Sequence, residues 1–533
     1  MEAEPGRRTQ MAGAEAGPAG NGRLLAVAIL ASFVAFLDGS IVTVALPAVS
    51  ADLGGGLSTQ QWTVNAYLLT LGALILLAGS LSDSFGRLRI LRIGLIGFAA
   101  ASIACALAWN PGILILARAV QGTTAALLVP SSLALITTAY REPGLSRAIG
   151  RWTAWTGTAA IIGPLLGGVL VDLVSWRLIF AVNVLPVALT LFLMAGMQDR
   201  AALRKSALDL PGALLAIAGL AGPVYALIEQ DRLGWSHPAV AVPLVVGFLA
   251  LGLFVLREAR TPAPMMPLSL FRARNFRYGN LVTAAAYAGI SLGTFSVTVF
   301  IQEAGGFSAT EAGFAALPLP VVMLLLAAQF GRLAGVYGPR LFMTAGPLIC
   351  GAGFALMVTV SPPLDFPTQL LPGLLVFSVG LAVMVAPLTS AVLGSLGQEE
   401  AGIGSAVNNA VSRVAGLVAI AMAGTISGGS ANLGGNVNFT SEGTFNMYGG
   451  ESVKITLECS DKIAKNVREE FGEDIITKPI GEDRFVTEVK AAEGEGLIRW
   501  IMQFSAEDMK VVAPENIVDA IRKRAKELYK IYE

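Results

Sequence analysis

Two charges stand deep in apolar sequence. Asp38 lies about 14 residues into a run that opens at Leu24, which on a helix is ~21 Å from its start. A carboxylate at that depth is costly and faces a cavity or a partner. It could take up and release protons while holding a cationic group in competition with them. It could equally be a structural acid that hydrogen-bonds helices together. Arg118 is the other deep charge, inside the run 112–139. A buried cation needs a carbonyl or carboxylate partner, and spacing alone does not say whether Asp38 is that partner.

A second group reads as a latch. Gly79-Ser-Leu-Ser-Asp83-Ser-Phe-Gly86-Arg87-Leu-Arg89 follows one apolar run, and Gly331-Arg-Leu-Ala-Gly-Val-Tyr-Gly338-Pro-Arg340 follows another. Glycines permit close helix approach. Asp83 could accept charge-assisted hydrogen bonds or meet a helix N-terminus. Arg87 and Arg89 could pair with a carboxylate on another bundle, or simply keep the loop inside. Repeated halves are the architecture of secondary transporters, whose substrate site lies between the halves.

A third group, Gly157, Gly163, Pro164, Gly167 and Gly168, sets a helix breaker among small residues. Proline bends a helix, and the glycines allow tight crossing. Arg413 near the inner end of the last run reads as snorkelling or capping. Glu229 and Glu303 read as rim residues. One His and three widely spaced Cys leave no metal-ligand spacing and no nucleophilic triad. No phosphate-binding glycine loop occurs, which disfavours ATP as a direct energy source, and no cofactor is expected.

The elements that must position these groups are membrane helices. Of 533 residues 54% are hydrophobic and 14% charged, against ~25% charged in soluble domains. Mean hydropathy is +0.66. Thirteen apolar runs, each near the ~20 residues that cross a bilayer, fall at 24–48, 61–82, 90–109, 112–139, 152–172, 177–197, 211–229, 238–256, 280–302, 313–334, 341–360, 369–395 and 404–427. With the N-terminus cytoplasmic, the inside segments carry most of the basic residues, among them Arg7, Arg8, Arg23, Arg141, Arg147, Arg151, Arg200, Arg204 and Lys205. The outside segments carry only Arg177 and Arg232, as the positive-inside rule requires. Trp62, Trp109, Trp176 and Trp235 then sit at outer ends.

In order along the chain, Phe36-Leu37-Asp38, Trp62 with Ala66-Tyr67, Leu116-Ala-Arg118-Ala-Val-Gln121-Gly122, Gly163-Pro164-Leu-Leu-Gly167-Gly168, Ser175-Trp176-Arg177 and Asn183 resemble the major facilitator superfamily and its fourteen-helix branch of drug:proton antiporters. The resemblance covers about 24–427. It implies a proton-coupled efflux antiporter that moves small amphipathic, often cationic compounds across a bacterial-type plasma (inner) membrane by alternating access. Its partners would be a small-molecule substrate, protons and the lipid bilayer. It ties Arg118 to proton coupling, and it links the glycine-proline pattern to antiporters, where it seals the outer side. No enzymatic activity is implied.

The C-terminal stretch differs in kind. Lys205 is the only lysine before position 450, and nine follow it. Residues 431–533 hold 14 Lys and Arg against 19 Asp and Glu, which argues against non-specific nucleic-acid binding. Strands are expected at 452–459, 474–479, 484–491 and 509–513, and helices at 461–471, 494–504 and 515–531, a split βαβ order. Val453-Lys-Ile-Thr-Leu-Glu-Cys459, Leu497-Ile-Arg-Trp500 and Val512-Ala-Pro514 resemble the C-terminal extension of WYL-domain transcriptional regulators.

The expected fold is an all-α polytopic membrane protein with a small C-terminal α+β ferredoxin-like soluble domain. Its divisions are a disordered cytoplasmic tail (1–23), a six-helix bundle (24–197), two inserted helices with cytoplasmic loops (198–279), an incomplete second bundle (280–428), a linker (429–450) that holds an Asn438-Phe-Thr440 triplet, and the soluble domain (451–533). Thirteen spans where the branch has fourteen would leave the C-terminal domain outside: either the last run does not span, or the domain is exported, or the chain is a chimera, the reading the lysine break favours. A membrane-anchored regulatory module and a non-functional fusion stay open beside export.

Overall fold

The computed structural model describes residues 18–140, 144–198, 208–262, 264–303, 305–357, 364–396, 401–425, 444–445, 448–449, 452–471, 477–480, 483–492, 495–505 and 507–532. Arg7, Arg8, Arg141, Arg200, Arg204, Lys205 and the 438–440 triplet lie outside them, as do most of the expected tail and linker.

All thirteen apolar runs form helices over their described residues. Twelve are long and apolar enough to cross a membrane: α1 (Gly22–Leu53), α2 (Gly56–Phe85), α3 (Arg87–Ala106), α4 (Pro111–Ala139), α5 (Arg147–Leu173), then α7 (Leu210–Gln230), α8 (Pro238–Arg260), α9 (Arg274–Glu303), α10 (Ala309–Tyr337), α11 (Pro339–Met357), α12 (Phe366–Val392) and α13 (Ile403–Ala421). The sixth, α6 (Leu178–Leu193), is shorter. It breaks between Leu178–Ala181 and Val184–Leu193, with Asn183 at the joint.

Helix ends are set by local chemistry. Asn110 accepts from the Ile113 N–H ahead of Pro111 to start α4. Asp209 accepts from Gly212 N–H to start α7, and Arg257 of α8 donates to the same carboxylate at 2.6 Å. A Ser308–Glu311 capping box opens α10, satisfying two orphan N–H groups. Gly86 and Gly338 close α2 and α10 at φ 98° and 82°. Those backbone angles suit glycine, so the two halves of the sequence repeat make the same turn.

Helices α1–α6 pack on one another, as do α9–α13. In lipid, helices gain little hydrophobic drive from each other, so small residues at crossings matter. A Cβ on Gly353 of α11 would stand 2.6 Å from the Phe377 nitrogen of α12. A Cβ on Gly222 of α7 would stand 2.9 Å from Cα of Gly247 in α8. The two lobes meet where α2 lies against α13 and α5 against α10, and the pair α7–α8 rests on α2 and α13.

The C-terminal domain is antiparallel. A short hairpin, β1 (Thr444–Phe445) with β2 (Tyr448–Gly449), precedes β3 (Ser452–Ser460), β4 (Thr477–Pro479), β5 (Arg484–Ala492) and β6 (Met509–Ala513), which form a sheet in the order β4-β5-β3-β6. The strand β5 lies between β3 and β4, the split βαβ arrangement. Helices α14 (Ala464–Phe471), α15 (Glu495–Met502) and α16 (Glu515–Tyr532) complete it. Ile455, Leu457 and Cys459 alternate into a core with Phe485, Val489, Trp500 and Ile517, the period-two pattern of a one-sided sheet.

Candidate functional site

Asp38 and Arg118 meet. Arg118 Nη1 donates to Asp38 Oδ2 at 2.6 Å, and both side chains are fully buried. The remaining Asp38 oxygen, Oδ1, accepts from Gln121 Nε2 at 2.8 Å and Asn183 Nδ2 at 2.9 Å. Arg118 Nε donates to the Thr63 carbonyl at 2.9 Å, and Nη1 also reaches Gln121 Oε1 at 2.7 Å. Gln121 donates in turn to Ser102 Oγ at 2.8 Å. The guanidinium stacks 4.4 Å from the Tyr67 ring and 5.6 Å from Phe180.

Five helices of one lobe, α1, α2, α3, α4 and α6, thus converge on one ion pair. The i, i+3 spacing puts Arg118 and Gln121 on one face of α4. The break in α6 gives Asn183 its approach. A buried charge is tolerable when paired and hydrogen-bonded, and here every oxygen of Asp38 is engaged. A cationic ligand reaching Asp38 would have to displace Arg118, Gln121 or Asn183. Sequence reasoning singled out Asp38 and Arg118. It named Gln121 and Asn183 only within motifs, and it gave Ser102 no role.

In the 79–89 loop, Asp83 and Arg87 bond within their own lobe. Arg87 Nη2 lies 3.0 Å from Asp83 Oδ1, and its Nη1 donates to the Ala134 carbonyl of α4 at 2.7 Å. Arg87 therefore ties α2 and α3 to α4 rather than reaching the other lobe. Gly79 has open space where a Cβ would stand, as does Gly157. Gly331 packs toward Ala386 of α12, and Arg340 is exposed.

The helix-5 glycines are crossing points. A Cβ on Gly163 would stand 2.9 Å from Ser40 Cβ, and one on Gly167 2.8 Å from the Ile41 carbonyl, both in α1. Gly168 faces the other lobe, where its Cβ would lie 2.6 Å from Thr310 Cα. Gly313 of α10 returns the contact against the backbone of buried Pro164. Beside them Asp172 accepts from the Ala309 N–H at 3.1 Å and the Thr310 N–H at 2.7 Å. At the same end Gln60 donates to Glu303 at 2.5 Å, and Gln61 donates to the Ile420 carbonyl at 2.8 Å. These four bonds cross between lobes at the end remote from Arg23, Arg87 and Arg147. The expected rim acids are thus tethers: Glu303 takes Gln60, and Glu229 takes Ser58, Trp62 and Arg232.

Arg413 departs from its expected place. It lies at mid-length of α13 and backs onto Gly72, mid-length of α2, with Cβ 3.5 Å from the position of a Gly72 Cβ. Its guanidinium reaches over the Phe36 ring of α1 at 5.6 Å. It neither snorkels nor caps.

The profile described as Major Facilitator Superfamily matches residues 28–420. The chain belongs to the major facilitator superfamily. This superfamily member is 37% identical to a puromycin resistance protein of Streptomyces alboniger, over 80% of the chain and 86% of the relative. It is 34% identical to a methylenomycin A resistance protein of Bacillus subtilis, over 76% and 87%, and 36% identical to a cephamycin export protein of Amycolatopsis lactamdurans, over 76% and 84%. In fold it resembles a POT family transporter solved with 5-aminolevulinic acid, with TM-score 0.58, 14% identity, and coverage of 78% of this chain and 91% of that one. The WCX domain profile matches residues 451–529. The protein is a multi-pass membrane protein with a small α+β domain at its C-terminal end.

Proposed function

We propose that this superfamily member exports small amphipathic compounds in exchange for protons, by rocking its two lobes around a central space. The observation that carries the reading is the Asp38–Arg118 pair: a single titratable carboxylate, sealed from water, whose ionisation decides whether Arg118 has a counter-ion. A proton on Asp38 removes the charge that holds Arg118 and loosens the junction of α1, α4 and α6. The proton acts through the junction and not by trading places with substrate on the carboxylate. The names of the relatives, resistance and export proteins, agree with export.

The glycine seam and the Asp172 and Gln60 bonds hold the lobes together at the end remote from the basic loops. In the orientation the basic residues favour, with the N-terminus cytoplasmic, this is a state closed to the outside of a bacterial-type plasma membrane. The roles of Gly79, Asp83, Gly86, Arg87 and Arg89, and of Gly331, Gly338 and Arg340, are those of paired inner turns that set helix ends on that side.

The test is proton-gradient-driven counter-flow of a lipophilic dye in proteoliposomes. Asp38→Asn should lower the gradient-driven rate at least about tenfold, about 1.4 kcal/mol. An unchanged rate would remove Asp38 from the coupling. Deletion of 430–533 should leave transport in place. Loss of all function on that deletion would favour the anchored-module reading instead.

A further inference from the structure

We infer that the central space between the lobes recognises its substrate through an anionic group, and that Arg413 is the residue that receives it. The inference rests on the export reading above and names the substrate class for it.

The argument is one of charge matching. A cation at the middle of a membrane helix is costly unless it pairs or faces water. The other midplane charges are matched: Asp38 and Arg118 form a neutral, fully buried pair. Arg413 has no ion pair among the described residues, and its side chain is only partly buried. The acids nearest the lobe seam are engaged elsewhere, Asp172 with the start of α10 and Glu303 with Gln60. Asp52 holds Arg177 at 2.6 Å. Among the described residues, the seam where α13 meets α1 and α2 thus carries one positive charge with no ion-pair partner.

The surroundings say what else the ligand carries. Arg413 lies over the Phe36 ring. Gly72 leaves room for the arginine stem against α2. A fork of N–H donors beside an aromatic face suits a carboxylate on an aromatic or apolar body. Residues Phe36 and Arg413 belong to different lobes, so such a ligand would touch both, as a site between repeats requires. A lipid phosphate is the other source of anionic oxygen, but headgroups lie ~15 Å from the midplane. A cationic substrate, which the family resemblance implied, would meet repulsion here.

The test is equilibrium binding to the full chain in nanodiscs with three probes of one shape: 1-naphthylacetate, its neutral amide, and 1-naphthylethylammonium. The wild type should bind the acid about tenfold more tightly than the amide, with the amine weakest. Arg413→Gln should erase the acid–amide difference, and Arg413→Lys should keep part of it. Equal binding of acid and amide by the wild type would overturn the inference, even if every Arg413 variant failed to fold. So would an unchanged acid preference in a folded Arg413→Gln. Acid preference with no gradient-driven transport would leave the anion site standing and remove the export reading. Gradient-driven transport with tightest binding of the amine would do the reverse.

Discussion

Arg118 and Asp38, 80 positions apart in sequence, hold each other at 2.6 Å with neither side chain reaching solvent. Removing one partner strands the other. Asp38→Asn should therefore cost about 3–5 kcal/mol of stability, read as a fall in thermal midpoint in detergent. The double change Asp38→Leu with Arg118→Met should recover much of that loss while leaving gradient-driven transport absent. Transport restored by the apolar pair would show that the pair is a structural weld and nothing more.

The seam between α5 and α10 depends on a missing methyl group. Gly168→Val places a side chain where Thr310 Cα already stands within 2.6 Å, and a backbone atom cannot step aside cheaply. The lobes should then rest apart at that end. Spin labels at Trp109 and Phe314, both on exposed positions, would report a longer distance in the variant. An unaltered distance distribution would mean that the crossing re-packs.

Asp172 should matter separately from the capping box beside it. Asp172→Ala removes the acceptor for Ala309 and Thr310 N–H groups, and a lost cap costs about 1 kcal/mol. Glu311→Ala disturbs the box within α10 but leaves the cross-lobe bonds. The first variant should widen the Trp109–Phe314 distance and the second should not.

The C-terminal domain has a readable acid limit. Hydrogen bonds from Ser505 and Ser460 hold the Asp508 carboxyl below its ordinary value of 3.8, and the Lys454 ammonium holds Glu488 below 4.5. A depressed folded-state pKa stabilises above the unfolded value and is lost as pH falls through the folded one. The contribution of each pair should be intact above about pH 4.5 for Glu488 and 3.8 for Asp508 and fall away below those values. Replacing Ser460 and Ser505 by Ala should shrink the loss below pH 3.8, as followed by circular dichroism. An identical acid profile in the double variant would discard the assignment to Asp508.

Burial pushes the Cys459 thiol up to about 11. A thiol must ionise to react, so a water-soluble maleimide at pH 7 should leave Cys459 unmodified in the folded chain and label it in denaturant. Mass spectrometry of the tryptic peptide decides it.

How much of this was written in the sequence depends on the range of the interaction. Helix positions followed from apolar runs, and the strands of the C-terminal domain from alternation such as Ile455, Leu457 and Cys459. The depth of Asp38 and Arg118 was readable by counting. Their contact was not, because α1 and α4 are brought together by packing that no local pattern encodes. Asn183 gained its role from a break in α6, a backbone event with no strong cue beyond the Pro186 that follows. Arg413 was misplaced because position along an apolar run does not reveal which face a side chain takes. For Arg87 the sequence left open a carboxylate on another bundle or a hold on its own loop, because it shows neither Asp83 nor the Ala134 carbonyl within reach.

The hairpin α7–α8 leans on α2 from one lobe and α13 from the other. If the lobes rock, this hairpin cannot ride with both, so at least one of its contacts must shear during every cycle. Behind it lies a cavity of about 700 Å³ walled by Leu76, Leu220, Phe254, Ala288 and Val414, with no polar group to snag the sliding surfaces. The two extra helices would then behave as a bearing, and stiffening them, for instance by cross-linking α7 to α13, should slow turnover without touching affinity.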